Sequence, residues 1–149
     1  MNMKTPQLKG LDFSSEEIKK NIEENGILRL SISLSTTCNL RCPFCYADAG
    51  KKSENELSLD GIFDVIKQAK KLGAKTITLV GGEPMIYPKV KEVISLINKN
   101  DMTPLIFTNG TQMTKEFAKF LYDNNASIIV KFNSLDNPEI QDEMVGGFK

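Results

Sequence analysis

The feature that most restricts the fold is a repeated order along the chain: a β-rich run, a loop, then an apolar stripe at helical spacing. Residues 27–35 alternate, with Leu28, Leu30, Ile32 and Leu34 on one side and Arg29, Ser31, Ser33 and Ser35 on the other, which predicts a strand with one polar face. Beyond a loop, Leu59, Ile62, Phe63, Ile66 and Ala69 recur at helical spacing within 57–72, with Ser58 placed to cap that helix and Gly73 to stop it. The unit then returns. A second strand at Thr76–Val80 ends at Gly81-Gly82 and is followed by a helix over 87–98, carrying Val90, Val93, Ile94 and Ile97. A third strand at 105–107 closes on the turn Thr108-Asn109-Gly110, and a third amphipathic helix over 114–123 leads to a fourth strand over 127–132. Ahead of these units, Ser14 and Glu17 form a capping-box pattern, and Ile18 and Ile22 extend a short helix that Gly26 can end. The expected organisation is a helical lead-in over residues 1–26 and a single core over 27–149.

Strands alternating with helices imply parallel pairing through right-handed crossovers, so the fold class is α/β. Strands of an open doubly wound sheet are covered on both faces and read as nearly continuous apolar runs. The alternating first strand suits instead a barrel lumen lined with polar groups, although a partly exposed edge strand would carry the same pattern. Both architectures stay open on these residues alone.

Composition removes whole classes of chemistry. The chain of 149 residues has no histidine, which excludes Ser-His and Cys-His nucleophiles and any zinc site that needs imidazole. Nineteen basic and nineteen acidic residues cancel, leaving no global field to attract nucleic acid or an anionic membrane. Apolar stretches such as 128–130 fall far short of the roughly 18 residues that suggest a membrane span. Residues 1–10 carry lysines but no apolar core or small-residue cleavage site, so the expected location is the cytoplasm.

All three cysteines, Cys38, Cys42 and Cys45, stand in the loop after the first strand with the spacing CxxxCxxC. An odd, clustered set in a cytosolic chain points to metal or cluster ligation rather than a disulfide framework. Three thiolates on one loop can cap three irons of a cubane cluster and leave the fourth iron open. The competing reading is zinc, which wants four ligands and finds here only Asp48 as a weak fourth.

At these residues the sequence resembles the radical S-adenosylmethionine (SAM) superfamily, whose signature is CxxxCx(aromatic)C after the first strand of a partial (β/α)6 barrel; Phe44 fills the aromatic place. Gly81-Gly82-Glu83-Pro84 is similar to the family's GGEP motif after the second strand, and Thr108-Asn109-Gly110-Thr111 to its TNG turn after the third. Asn133-Ser134-Leu135-Asp136 looks like its ribose-contacting end of the fourth strand. The resemblance covers roughly residues 29–146. It implies a [4Fe-4S] cluster held by Cys38, Cys42 and Cys45, with SAM chelating the open iron and cleaved by one electron to a 5′-deoxyadenosyl radical. It also implies that Gly81 and Gly82 let the backbone approach the methionine and that Glu83 accepts from its amino group. Phe44 and Tyr46 are expected near the adenine, and Thr108 and Asn109 either on the cofactor or in the turn itself. On the fourth strand, period-two alternation puts Ile129, Lys131 and Asn133 on one face and Ile128, Val130 and Phe132 on the other. If the apolar set packs on helices, Lys131 faces the lumen and can meet the methionine carboxylate, while Asn133 or Ser134 meets the ribose.

The resemblance further implies a peptide, cofactor precursor or other small substrate and an electron donor such as a flavodoxin or ferredoxin. Six units scaled from an eight-unit barrel of about 250 residues need roughly 190 residues. The chain is therefore expected to be a barrel truncated after about the fourth strand, completed by a missing C-terminal half or a second chain, and prone to associate through its last strand. Two other readings share the cysteines: a non-enzymatic iron-sulfur or zinc module, and an inactive truncated paralogue.

Overall fold

The computed structural model describes residues 9–146; the outermost parts of the expected lead-in and core, 1–8 and 147–149, lie outside them. Four strands, β1 (Arg29–Ser33), β2 (Thr76–Val80), β3 (Thr103–Thr108) and β4 (Ser127–Val130), form one parallel sheet in sequential order. Helices α1 (Ser15–Glu23), α2 (Leu59–Lys71), α3 (Val90–Lys99), α4 (Lys115–Asp123) and α5 (Pro138–Met144) precede, connect and follow them. A 3-10 turn, Pro84–Ile86, stands between β2 and α3. None of the helices among the described residues is long and apolar enough to cross a membrane.

The caps read from the sequence form as expected. Ser14 and Glu17 make a reciprocal capping box, and Ser58 and Thr114 accept from Gly61 N and Phe117 N at the starts of α2 and α4. Glu17 also pairs with Lys75 at the foot of β2, and that bond, then the Ser14 amide, holds its carboxyl down to about 2. α1 is thereby tied to the sheet by polar contacts, since none of its residues is buried.

Register decides between the two architectures. Ile32 pairs with Leu79 and Leu79 with Ile106, so these residues share one face of the sheet. That face forms a single core with Ile62, Ile66 and Ala69 of α2, Val93, Ile94 and Ile97 of α3, and Leu121 of α4. The other register row, Ser31, Thr78, Leu105 and Ser127, points away from those helices. A sheet with its crossover helices on one side is a piece of barrel wall, whereas a doubly wound sheet places them on both. The first strand's alternation is therefore that of a barrel wall: Leu30, Ile32 and Leu34 pack on the helical side while Arg29, Ser31 and Ser33 are exposed.

Several boundaries differ from expectation: β1 spans 29–33 rather than 27–35, and β3 103–108 rather than 105–107. β4 ends at Val130 rather than 132, and Lys131 N makes one more bond to Thr108 O before the chain turns. Past it the chain enters α5, whose Asn137 side chain accepts from Glu139 N and Ile140 N; a short seven-residue helix lacking a long apolar stripe gives little periodic signal. Residues 10–13 lie at the N-terminal ends of the strands, where Arg29 donates to Leu11 O and stands 5.5 Å over the Phe13 ring. The opposite, C-terminal ends of the strands are where barrels of this kind carry their sites.

Candidate active site

The loop between β1 and α2 carries the cysteines. All three are unpaired and half-buried. Leu40 N donates to Cys38 Sγ at 3.4 Å and Ala49 N to Cys45 Sγ at 3.5 Å, so two sulfurs receive backbone N–H groups of the kind that stabilise thiolate charge. The loop is held by its own polar groups. Arg41 Nη1 donates to Cys38 O and Leu40 O, both at 2.7 Å, and Arg41 N donates to Val145 O at 3.1 Å, fixing the loop to the end of α5.

Gly81 and Gly82 follow β2 and pack against residues 35–37. A Cβ on Gly82 would lie 2.0 Å from Thr37 O, and one on Gly81, where φ is +134°, 2.4 Å from Ser35 O. Gly82 N donates to Ser35 O at 2.8 Å and Glu83 N to Thr37 O at 2.9 Å. The missing side chains thus let the β2 loop lie directly against residues 35–37, which lead to Cys38, and that close approach requires glycine.

Glu83 is 3% exposed. Its Oε1 accepts from Met85 N at 2.9 Å and Thr108 Oγ1 at 2.7 Å, and its Oε2 from Asn109 N at 2.7 Å. A carboxylate has about four acceptor positions, so three donors leave roughly one free. Thr108 is 4% exposed and its hydroxyl is directed to Glu83. The Asn109 side chain is engaged within the protein: its Oδ1 accepts from Thr111 N and its Nδ2 donates to Asn39 Oδ1 at 2.9 Å. Asn39 Nδ2 in turn donates to Thr111 Oγ1 at 2.7 Å, which joins the cysteine loop to the β3 turn.

A cleft of about 380 Å³ opens over these groups, within the usual range for small-molecule sites. The three cysteines lie on one wall, with Glu83, Thr108, Asn109 and Lys131 on the others. Lys131 faces it as alternation predicts; its Nζ stands 3.6 Å above the Phe44 ring and donates to Asn133 Oδ1 at 2.8 Å. Asn133 Nδ2 is buried without a partner, beside a smaller recess that also borders Cys42. Asn133 N and Ser134 N both donate to Gln141 Oε1, and Ser134 Oγ accepts from Asn137 N. Tyr46 lines the rim of the cleft with 91% of its surface exposed. A larger cleft of about 540 Å³ on the helical side, between Tyr87 and Phe117, contains none of the cysteines.

Among the described residues no three Cys, Asp or Glu side chains converge on one ion-sized point, the arrangement a single zinc needs. A cubane places a different thiolate on each of three irons and makes no such demand. Three free thiols on one cleft wall, with N–H groups on two of the sulfurs, fit that larger group.

Residues 32–148 match the Radical SAM superfamily, and the chain belongs to it. Members of this superfamily are enzymes that use a [4Fe-4S] cluster and SAM. The chain is 33% identical over 106 residues to an S-adenosylmethionine-dependent nucleotide dehydratase of Flammeovirga pacifica, a match covering 67% of this chain and 37% of that protein. It is 31% identical over 121 residues to the sporulation killing factor maturation protein SkfB of Bacillus subtilis, covering 80% of this chain and 30% of SkfB. Its fold is similar to that of Streptococcus suis SuiB, solved bound to the precursor peptide SuiA, with a TM-score of 0.72 at 20% identity, covering 98% of this chain and 36% of SuiB. The chain therefore spans about a third of the length of the curated relatives it matches.

Proposed function

We propose that this chain is the cofactor-binding part of a cytoplasmic radical SAM enzyme that acts on a peptide, cofactor precursor or other small substrate. The observation that carries the reading is the opening of all three thiols onto the same cleft as Glu83. Cys38, Cys42 and Cys45 hold the cluster. Glu83, in its remaining acceptor position, takes the amino group of SAM, with Gly81 and Gly82 setting the height of that carboxylate against the cysteine loop. Lys131 meets the methionine carboxylate, and the unpaired Asn133 amide, with Ser134, meets the ribose. Thr108 and Asn109 orient Glu83 from behind, while Phe44 and the backbone at Tyr46 border the adenine. The chemistry the cluster supplies when bound is one-electron reduction of the SAM sulfonium, which splits it into methionine and a 5′-deoxyadenosyl radical that takes a hydrogen atom from substrate.

The chain's residues also shield this event. Phe107 and Ile129 line the cleft floor with apolar surface, and the Lys131–Phe44 contact closes one side. The electron comes from a separate one-electron donor such as a flavodoxin or ferredoxin. The likeness to SkfB, a maturation protein, and to SuiB with its precursor peptide supports a peptide substrate, while the nucleotide dehydratase supports a small one. A continuation of the chain or a second chain completes the barrel beyond β4, where Val130 and Phe132 are exposed.

The test is anaerobic reconstitution with iron and sulfide. Wild type is expected to take up about four irons per chain and Cys42→Ala to lose most of them. Equal iron in the two proteins, or stoichiometric zinc on purification, would overturn the assignment.

A further inference from the structure

We propose that Glu56 is a positioning residue that fixes the cysteine loop and, through residues 35–37, the Gly82–Glu83 backbone, so that both walls of the cleft depend on one carboxylate. The inference rests on the cluster reading above and deepens it.

Glu56 lies at the far end of the cysteine loop, two residues before the Ser58 cap of α2. Its Oε1 accepts from Thr36 N at 2.8 Å, Ser35 Oγ at 2.9 Å and Ser53 N at 3.1 Å. The Thr36 hydroxyl stands 3.0 Å from the same oxygen and 2.6 Å from Lys51 O, and divides its single proton between them. So many donors on one oxygen require the negative charge of a carboxylate. Burial opposes that charge, yet the bonds from Thr36, Ser35 and Ser53 hold the carboxyl below its ordinary value.

The residues it holds are the ones everything else leans on. Ser35 O accepts from Gly82 N, Thr36 O from Gly50 N, and Thr37 O from Glu83 N, and Cys38 follows directly. Thr37 also bridges Gly50 in a parallel pair, which closes the base of the loop around the three cysteines. The short strip 35–37 thus spends its carbonyls on the β2 loop and the far side of the cysteine loop. Of its donors, Thr36 N and the Ser35 and Thr36 hydroxyls reach Glu56, while Thr37 N donates to Ser35 Oγ. Removing the carboxylate frees the strip on one side and takes away the acceptor of Thr36 N.

The experiment measures alkylation of the cysteines by iodoacetamide in the cluster-free protein, so it reads the loop whether or not a cluster can be assembled. Glu56→Ala is expected to raise the rates of Cys38, Cys42 and Cys45 about tenfold, and Glu56→Gln, which keeps an oxygen acceptor, to raise them less. Ile97→Val serves as a control that lowers overall stability from the distant core, and its rates are expected to stay within about twofold of wild type. Reconstituted Glu56→Gln is further expected to show a broadened reduced-cluster electron paramagnetic resonance (EPR) signal. Wild-type alkylation rates in both Glu56 variants, or an equal rise in Ile97→Val, would overturn the proposal. Failure of the cluster reading alone would show as unchanged iron in Cys42→Ala while the alkylation differences persisted.

Discussion

Gly82→Ala is expected to lower the thermal midpoint by about 10 °C, the consequence of roughly 3 kcal/mol in a domain of this size. The added methyl would lie 2.0 Å from Thr37 O, 2.5 Å from Thr37 C and 2.8 Å from Thr36 O, all of them backbone atoms. No rotamer change relieves that contact. The β2 loop must lift away from residues 35–37, which breaks the Gly82 N–Ser35 O and Glu83 N–Thr37 O bonds and moves Glu83 from its seat. The same variant is therefore expected to lose its response to SAM. Gly61→Ala is the contrast, because a methyl there meets nothing closer than 3.4 Å and replaces a poor helix former within α2. Differential scanning calorimetry of the two proteins checks this. A Gly82→Ala midpoint within a degree or two of wild type would show that the glycine is not held by this backbone approach.

Glu83→Ala carries the second large effect. It leaves three donors, Met85 N, Thr108 Oγ1 and Asn109 N, facing a buried void. Stranding such groups costs about 1–3 kcal/mol each before water or a rotated hydroxyl recovers part of it, so a net loss of about 4 kcal/mol is expected. Glu83→Gln keeps the volume and one oxygen but turns an amide NH2 toward a donor, and is expected to cost about half as much. The conservative variant is the more informative one. It should still bind iron through the three cysteines while its cluster ceases to respond to SAM. Chemical denaturation reads the first effect and reconstitution with spectroscopy the second. A Glu83→Gln protein with wild-type stability and an unchanged SAM response would remove Glu83 from the site.

Much of this was open to reading because it is local. The capping residues Ser14, Ser58 and Thr114 bond within their own first turns, and the alternation in 27–35 is visible without any partner strand. The cysteine spacing and the face of Lys131 are likewise properties of a few consecutive residues. Glu56, Asn39 and Arg41 were not legible. Glu56 stands in a charged run, 51–56, that looks like solvated surface, and its donors Ser35 and Thr36 lie 21 and 20 positions away. Asn39 reaches Thr111 across 72 positions. Such bonds exist only once the crossovers have placed the loops side by side. Gly82 shows the same limit from the other direction: the sequence marks a glycine, while its cause, the Thr37 carbonyl, is visible only in space. Thr108 and Asn109 bond to Glu83, and Asn109 also within its own turn, contacts that likewise exist only in space.

The most direct measurement is the EPR spectrum of the reconstituted, reduced full-length protein recorded with and without SAM. An iron without a protein ligand, on the same cleft as Glu83, predicts a reduced-cluster signal whose g values shift when SAM is added. A cluster signal that SAM leaves unchanged would contradict the account, because it would mean that no iron is open to the cofactor.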